Sequence, residues 1–64
     1  MTRKEDVLDS LPLVLTVKEV AEVLQIGRET AYELLRSGQI ESKIIAHKYR
    51  IPRWALLRYI GENE

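Results

Sequence analysis

The stretch TVKEVAEVLQIGRETAYELLRSG, residues 16–38, decides the fold. Thr16-Val17-Lys18-Glu19 has the spacing of a capping box, in which the Thr hydroxyl accepts from a backbone N–H one turn on and the Glu carboxylate accepts from the Thr N–H. A helix therefore starts here. Leu15 and Val20 sit at the spacing of a hydrophobic staple, and Val17, Val20, Ala21 and Leu24 recur at i, i+3, i+4, i+7. This predicts a first helix over residues 17–24 with one buried face. Gln25-Ile26-Gly27 breaks the pattern only briefly, as a tight turn between helices does. Gly27 is an acceptable N-cap, a second helix runs from Arg28 to Ser37, and Gly38 supplies a left-handed stop. At 100° per residue Ala31, Leu34 and Leu35 fall on one side of it and Glu29, Glu33 and Arg36 on the other. Arg28 and Tyr32 occupy one flank, Thr30 and Ser37 the opposite one.

Downstream, the composition turns to β character. Ile40, Ile44 and Ile45, then Tyr49 and Ile51, are separated by Ala46-His47-Lys48 and read as a two-stranded hairpin. Its turn holds no Gly, Asn or Asp, which leaves the turn type open. Pro52 closes the second strand and suits the first turn of a last helix, in which Ala55, Leu56, Tyr59 and Ile60 share a face before Gly61 ends it. Upstream, Leu11, Leu13, Val14 and Leu15 around Pro12 form an extended apolar run that packs along the body. Residues 1–10, polar and without periodicity, read as a mobile arm, residues 11–61 as one domain, and 62–64 as a tail.

Sixty-four residues, 45% hydrophobic and without cysteine, suit one small domain whose core is apolar packing. A deep catalytic cleft is hard to build at this size. No apolar leader precedes the domain and no stretch approaches the roughly 18 apolar residues of a membrane span, so the expectation is a soluble cytoplasmic protein. The formal net charge is zero. Residues 1–26 nevertheless carry three basic against five acidic side chains, whereas residues 27–58 carry Arg28, Arg36, Lys43, Lys48, Arg50, Arg53 and Arg58 against Glu29, Glu33 and Glu41. A neutral total thus hides a basic segment of the kind that meets phosphates. Two short helices, a tight turn, a basic hairpin and a final helix is the order of a winged helix-turn-helix, mainly α with a small β-hairpin. In such a fold the second helix enters the major groove and the hairpin reaches the flanking backbone.

The residues also resemble a family. Leu15-Thr16-Val17-Lys18-Glu19-Val20-Ala21, Arg28-Glu29-Thr30-Ala31-Tyr32-Glu33-Leu34-Leu35-Arg36-Ser37-Gly38, Tyr49-Arg50-Ile51-Pro52-Arg53, Ala55-Leu56 and Tyr59-Ile60 are similar to the excisionase-type, MerR-like winged helix-turn-helix domains. The resemblance implies sequence-specific binding of double-stranded DNA. It implies a role as an excisionase, a recombination directionality factor of a mobile element, or as a small transcription regulator. Its implied partners are DNA, an integrase or recombinase, and a second copy on DNA, with nucleoid localisation through DNA. The chain departs from the family at Gln25, where Gly is usual, at Gly27, where Ser or Thr is usual, and at Ala46-His47, where Gly-Arg is usual.

On that reading Arg28 meets a guanine edge or a phosphate, and Thr30 a thymine methyl or a phosphate, unless it packs. Tyr32 is either a phosphate ligand or a packed ring. Glu29 and Glu33 read cytosine N4, limit non-specific binding, or pair with Arg28 or Arg36 across the helix. Lys43, Lys48, Arg50 and Arg53 are wing and hinge cations, with His47 at the tip. His47 is the only histidine and no Cys accompanies it, so neither metal nor other cofactor is expected. Trp54 and Leu57 stand where the family usually carries polar residues. Either residues 11–15 cover them, or they form a partner interface that would make the chain a protein-interaction module with DNA secondary. No nucleophile, phosphate loop or paired catalytic carboxylate is recognisable, so neither enzyme activity nor a small-molecule substrate is expected.

Overall fold

A computed structural model describes residues 11–63. The arm expected over residues 1–10, and Glu64, lie outside the described residues. The order is β1 (Val14–Leu15), α1 (Val17–Leu24), α2 (Arg28–Arg36), β2 (Lys43–Ile45), β3 (Lys48–Pro52) and α3 (Arg53–Glu62). Three helices and a small antiparallel sheet make a winged helix-turn-helix, as the sequence pattern predicts.

The capping box forms as expected. Thr16 Oγ1 accepts from the Glu19 N–H at 3.2 Å, and the Thr16 N–H donates to Glu19 Oε1 at 2.9 Å. At the other end of α1, Gln25 adopts the left-handed conformation (φ 57°, ψ 46°) and Ile26 N–H donates back to Ala21 O at 3.0 Å. This is the Schellman closure that Gly normally provides, here imposed on a residue with a Cβ. Gln25→Gly should raise stability by up to about 1 kcal/mol, read as a higher denaturation midpoint. A lower midpoint would mean that the Gln25 side chain contributes more than its backbone costs. α2 ends in the same way. Gly38 is left-handed (φ 79°), and Gln39 N–H donates to Leu34 O at 3.0 Å.

The hairpin gains a third strand. β3 lies between β1 and β2, with Leu15 opposite Ile51, Val14 opposite Pro52, and Ile44 opposite Tyr49. The apolar run 11–15 therefore does more than pack along the body: its last two residues pair with the centre of the sheet. Pro52 is the cap of α3, one residue before its first turn, and the Arg53 N–H left over at that helix start donates to Leu13 O at 2.8 Å. α3 does not stop at Gly61. It continues to Glu62 because Asn63 closes it, donating from Nδ2 to Tyr59 O at 2.8 Å.

Leu15, Val17, Val20, Ala21, Ala31, Leu35, Ile40, Ile51, Ala55 and Leu56 form one core, and no polar side chain among the described residues is buried with them. The stripes expected on the helices supply most of it. Leu24, Leu34, Tyr59 and Ile60 pack against its edge, half-buried.

Candidate nucleic-acid interface

The helix-turn-helix and the hairpin enclose a solvent-open groove of about 480 Å³. One wall is the start of α1, with Lys18. A second is the start of α2, with Arg28 and Tyr32, and the third is the wing strand His47–Arg50. Four of the lining side chains, Lys18, Arg28, Lys48 and Arg50, are cationic, and none is acidic. A concave site of one sign concentrates potential and attracts an extended anion. The two helix starts differ. α1 is capped by its own Thr16, whereas Gly27 gives α2 no side-chain cap. The first N–H groups of α2 are therefore left to solvent or to a phosphate oxygen.

The wing carries a second mark of an anion partner. Lys43 lies directly opposite Arg50 across the hairpin. Like charges so placed destabilise a free sheet, and a phosphate between them would relieve the repulsion. At the tip Ala46 (φ 52°) and His47 (φ 66°) both take positive φ, the requirement of a two-residue type I′ turn. Replacing them by Ala46→Asn with His47→Gly should raise stability by about 1 kcal/mol, because Asn and Gly adopt this region at lower cost. A thermal melt checks it. An unchanged or lower midpoint would show that the tip is not strained.

The structure brings Arg28, Tyr32, His47, Lys48 and Arg50 to one groove and adds Lys18 and Tyr49, which the sequence reading does not single out. Lys18 is missed because it precedes the basic segment in the chain. Glu29, Thr30, Glu33 and Arg36 line a separate, shallow depression on the outer side of α2. Of the pairings considered there, Glu33 with Arg36 forms, at 3.9 Å between exposed side chains. Tyr32 is 41% exposed, and its ring packs at 60° to that of Tyr49 with centroids 5.9 Å apart.

Arg53 is placed away from the groove lining. Its Nη1 donates to Leu11 O at 2.9 Å, tying the segment before β1 to the start of α3. Arg58 is likewise engaged elsewhere. It donates to Glu62 at 2.9 Å and lies 3.8 Å from Glu41. The Glu62 hydrogen bond, then the charges of Glu62 and Glu41, raise its pKa above the usual guanidinium value. Trp54 is 53% exposed, Leu13 and Val14 are 73% and 53% exposed, and Leu57 is half-buried. The segment 11–15 goes to the sheet edge because its backbone is satisfied by β3.

The family described as a helix-turn-helix domain matches residues 14–64. A curated relative, a probable excisionase of Saccharopolyspora erythraea, is 47% identical over 47 residues, which make up 73% of this chain and 48% of the relative. The chain thus spans about half the length of that relative. No solved structure matches the chain.

Proposed function

The chain belongs to the helix-turn-helix domain family, and from that premise we propose that it binds double-stranded DNA sequence-specifically and acts as an excisionase. The observation that carries the reading is the groove of four cations without a carboxylate, in a chain of zero net charge. Arg28 and the start of α2 enter the major groove, and Lys43, Lys48 and Arg50 hold the flanking phosphates. The outer face of α2, with Glu29, Thr30, Glu33 and Arg36, meets base edges, where carboxylates tolerate cytosine amino groups and oppose indiscriminate phosphate contact. The relative named a probable excisionase supports the finer role. In that role the protein marks DNA beside a recombinase and needs no catalytic step of its own.

Selection from a random DNA pool at two salt concentrations tests the binding. An enriched motif is expected, with log affinity falling against log salt at a slope of about −0.9 per phosphate contact. Lys48→Ala and Arg50→Ala should each flatten that slope by about one unit and weaken all sequences alike. No enrichment, with weak binding even at low salt, would overturn the reading. The excisionase role is separated from transcriptional regulation by an excision assay with the cognate integrase. Addition of this protein should switch recombination towards excision, and an unchanged yield would leave only the DNA-binding reading.

A further inference from the structure

A two-part reader of DNA works only if its parts are held at one spacing, and the hairpin has few means of holding itself to α2. All of β2 is exposed, including Ile44 at 66% and Ile45 at 55%. Among the described residues, no hydrogen bond or ion pair joins α2 to residues 43–50. Ile51 anchors the base of the wing in the core, yet the tip at His47 lies about 13 Å along the strand from it. Of the apolar hairpin residues beyond that base, Tyr49 is the one packed against the core cluster. Its ring meets Tyr32 of α2 at 5.9 Å, in the tilted arrangement favoured by the ring quadrupoles.

Electrostatics makes this contact matter. Lys18 and Arg28 face Lys48 and Arg50 across the groove, so without DNA the two sides repel. A rigid aromatic pair bordering the groove opposes that opening. We infer that the Tyr32–Tyr49 ring pair is a strut that fixes the wing relative to α2, making Tyr49 a positioning residue for Lys43, Lys48 and Arg50. The inference rests on the DNA-binding reading above for its consequence, though the strut itself exists in the free protein. It preorganises the groove, so that phosphates meet cations already at their spacing and binding does not have to order the wing.

Tyr49→Leu keeps apolar bulk but removes the ring; Tyr49→Phe keeps the ring but removes the hydroxyl. With Tyr49→Leu, DNA affinity should fall about three- to tenfold, the worth of an aromatic pair. The salt slope should stay the same, because the wing still reaches its phosphates once the DNA orders it, and the base preference set by α2 should persist. In Tyr49→Phe the wing should stay as ordered as in the unaltered protein, because the ring pair is retained. In the free protein, 15N relaxation should show residues 43–50 gaining nanosecond motion in Tyr49→Leu, with α2 unchanged. A lower melting temperature with the wing's motion unchanged would assign Tyr49 to general packing and would overturn the strut. So would a Tyr49→Phe variant whose wing is as mobile as that of Tyr49→Leu, because that assigns the role to the hydroxyl. If Tyr49→Leu fails to fold, Tyr32→Leu removes the other half of the contact from an exposed position and should free residues 43–50 in the same way. Should the unaltered protein show no salt-dependent DNA binding, the functional reading falls, and the relaxation measurement still decides the strut.

Discussion

Ile51→Ala is expected to abolish the cooperative thermal transition, or to bring its midpoint close to room temperature. Ile51 is fully buried at the centre of the sheet, opposite Leu15 on β1 and within the single core shared by all three helices. Removing three buried carbons from such a position costs about 2–5 kcal/mol, transfer and cavity together. A domain of this size seldom holds more than about 3–5 kcal/mol in reserve, so the loss is comparable to the whole. Ile44→Ala is the matched control. It makes the same chemical change on an exposed strand and should alter stability by no more than about 0.5 kcal/mol. Circular dichroism melts of the two variants decide the matter. A variant at Ile51 that melts within a few degrees of the parent would mean that the sheet is not the hub of the core.

Arg28→Ala should weaken binding to the selected DNA by about 1–3 kcal/mol and broaden the base preference. The side chain lies in the first turn of α2, on the rim of the cationic groove, beside N–H groups that Gly27 leaves uncapped. A guanidinium there has the reach and the planar donor set for a guanine edge, and an alanine has neither. Arg58→Ala is the informative comparison, since it removes the same charge from a group already held by Glu62 and Glu41. It should leave affinity and preference unchanged. Titrations of both variants against the selected sequence and a scrambled one provide the check. Equal losses would show that only net charge matters, and no loss at Arg28 would place the DNA elsewhere on the protein.

Part of this groove's lining is legible in the chain itself. Arg28, Lys48 and Arg50 were accessible because a helix start and a hairpin each declare themselves within a few residues, and their cations stand out in a segment rich in positive charge. Arg53 belongs to the same basic segment, yet its guanidinium serves the carbonyl of Leu11, forty-two positions away in the chain. Charge type alone could not distinguish a group facing the groove from one holding the fold together. Lys18 shows the converse, lying in an acidic half of the sequence and still lining the groove.

Elements that form from neighbours were settled locally. The Thr16–Glu19 capping box, the left-handed Gly38 and the buried stripes of the helices follow from hydrogen bonds and periodicities that span one turn. Their energies depend on residues three or four apart, so the chain carries them wherever it goes. The third strand, the exposure of Trp54 and the meeting of Tyr32 with Tyr49 were decided only when distant segments packed together. Each depends on which backbone edge or core surface the rest of the chain leaves open, and such competition is resolved by long-range register and by burial of one shared core.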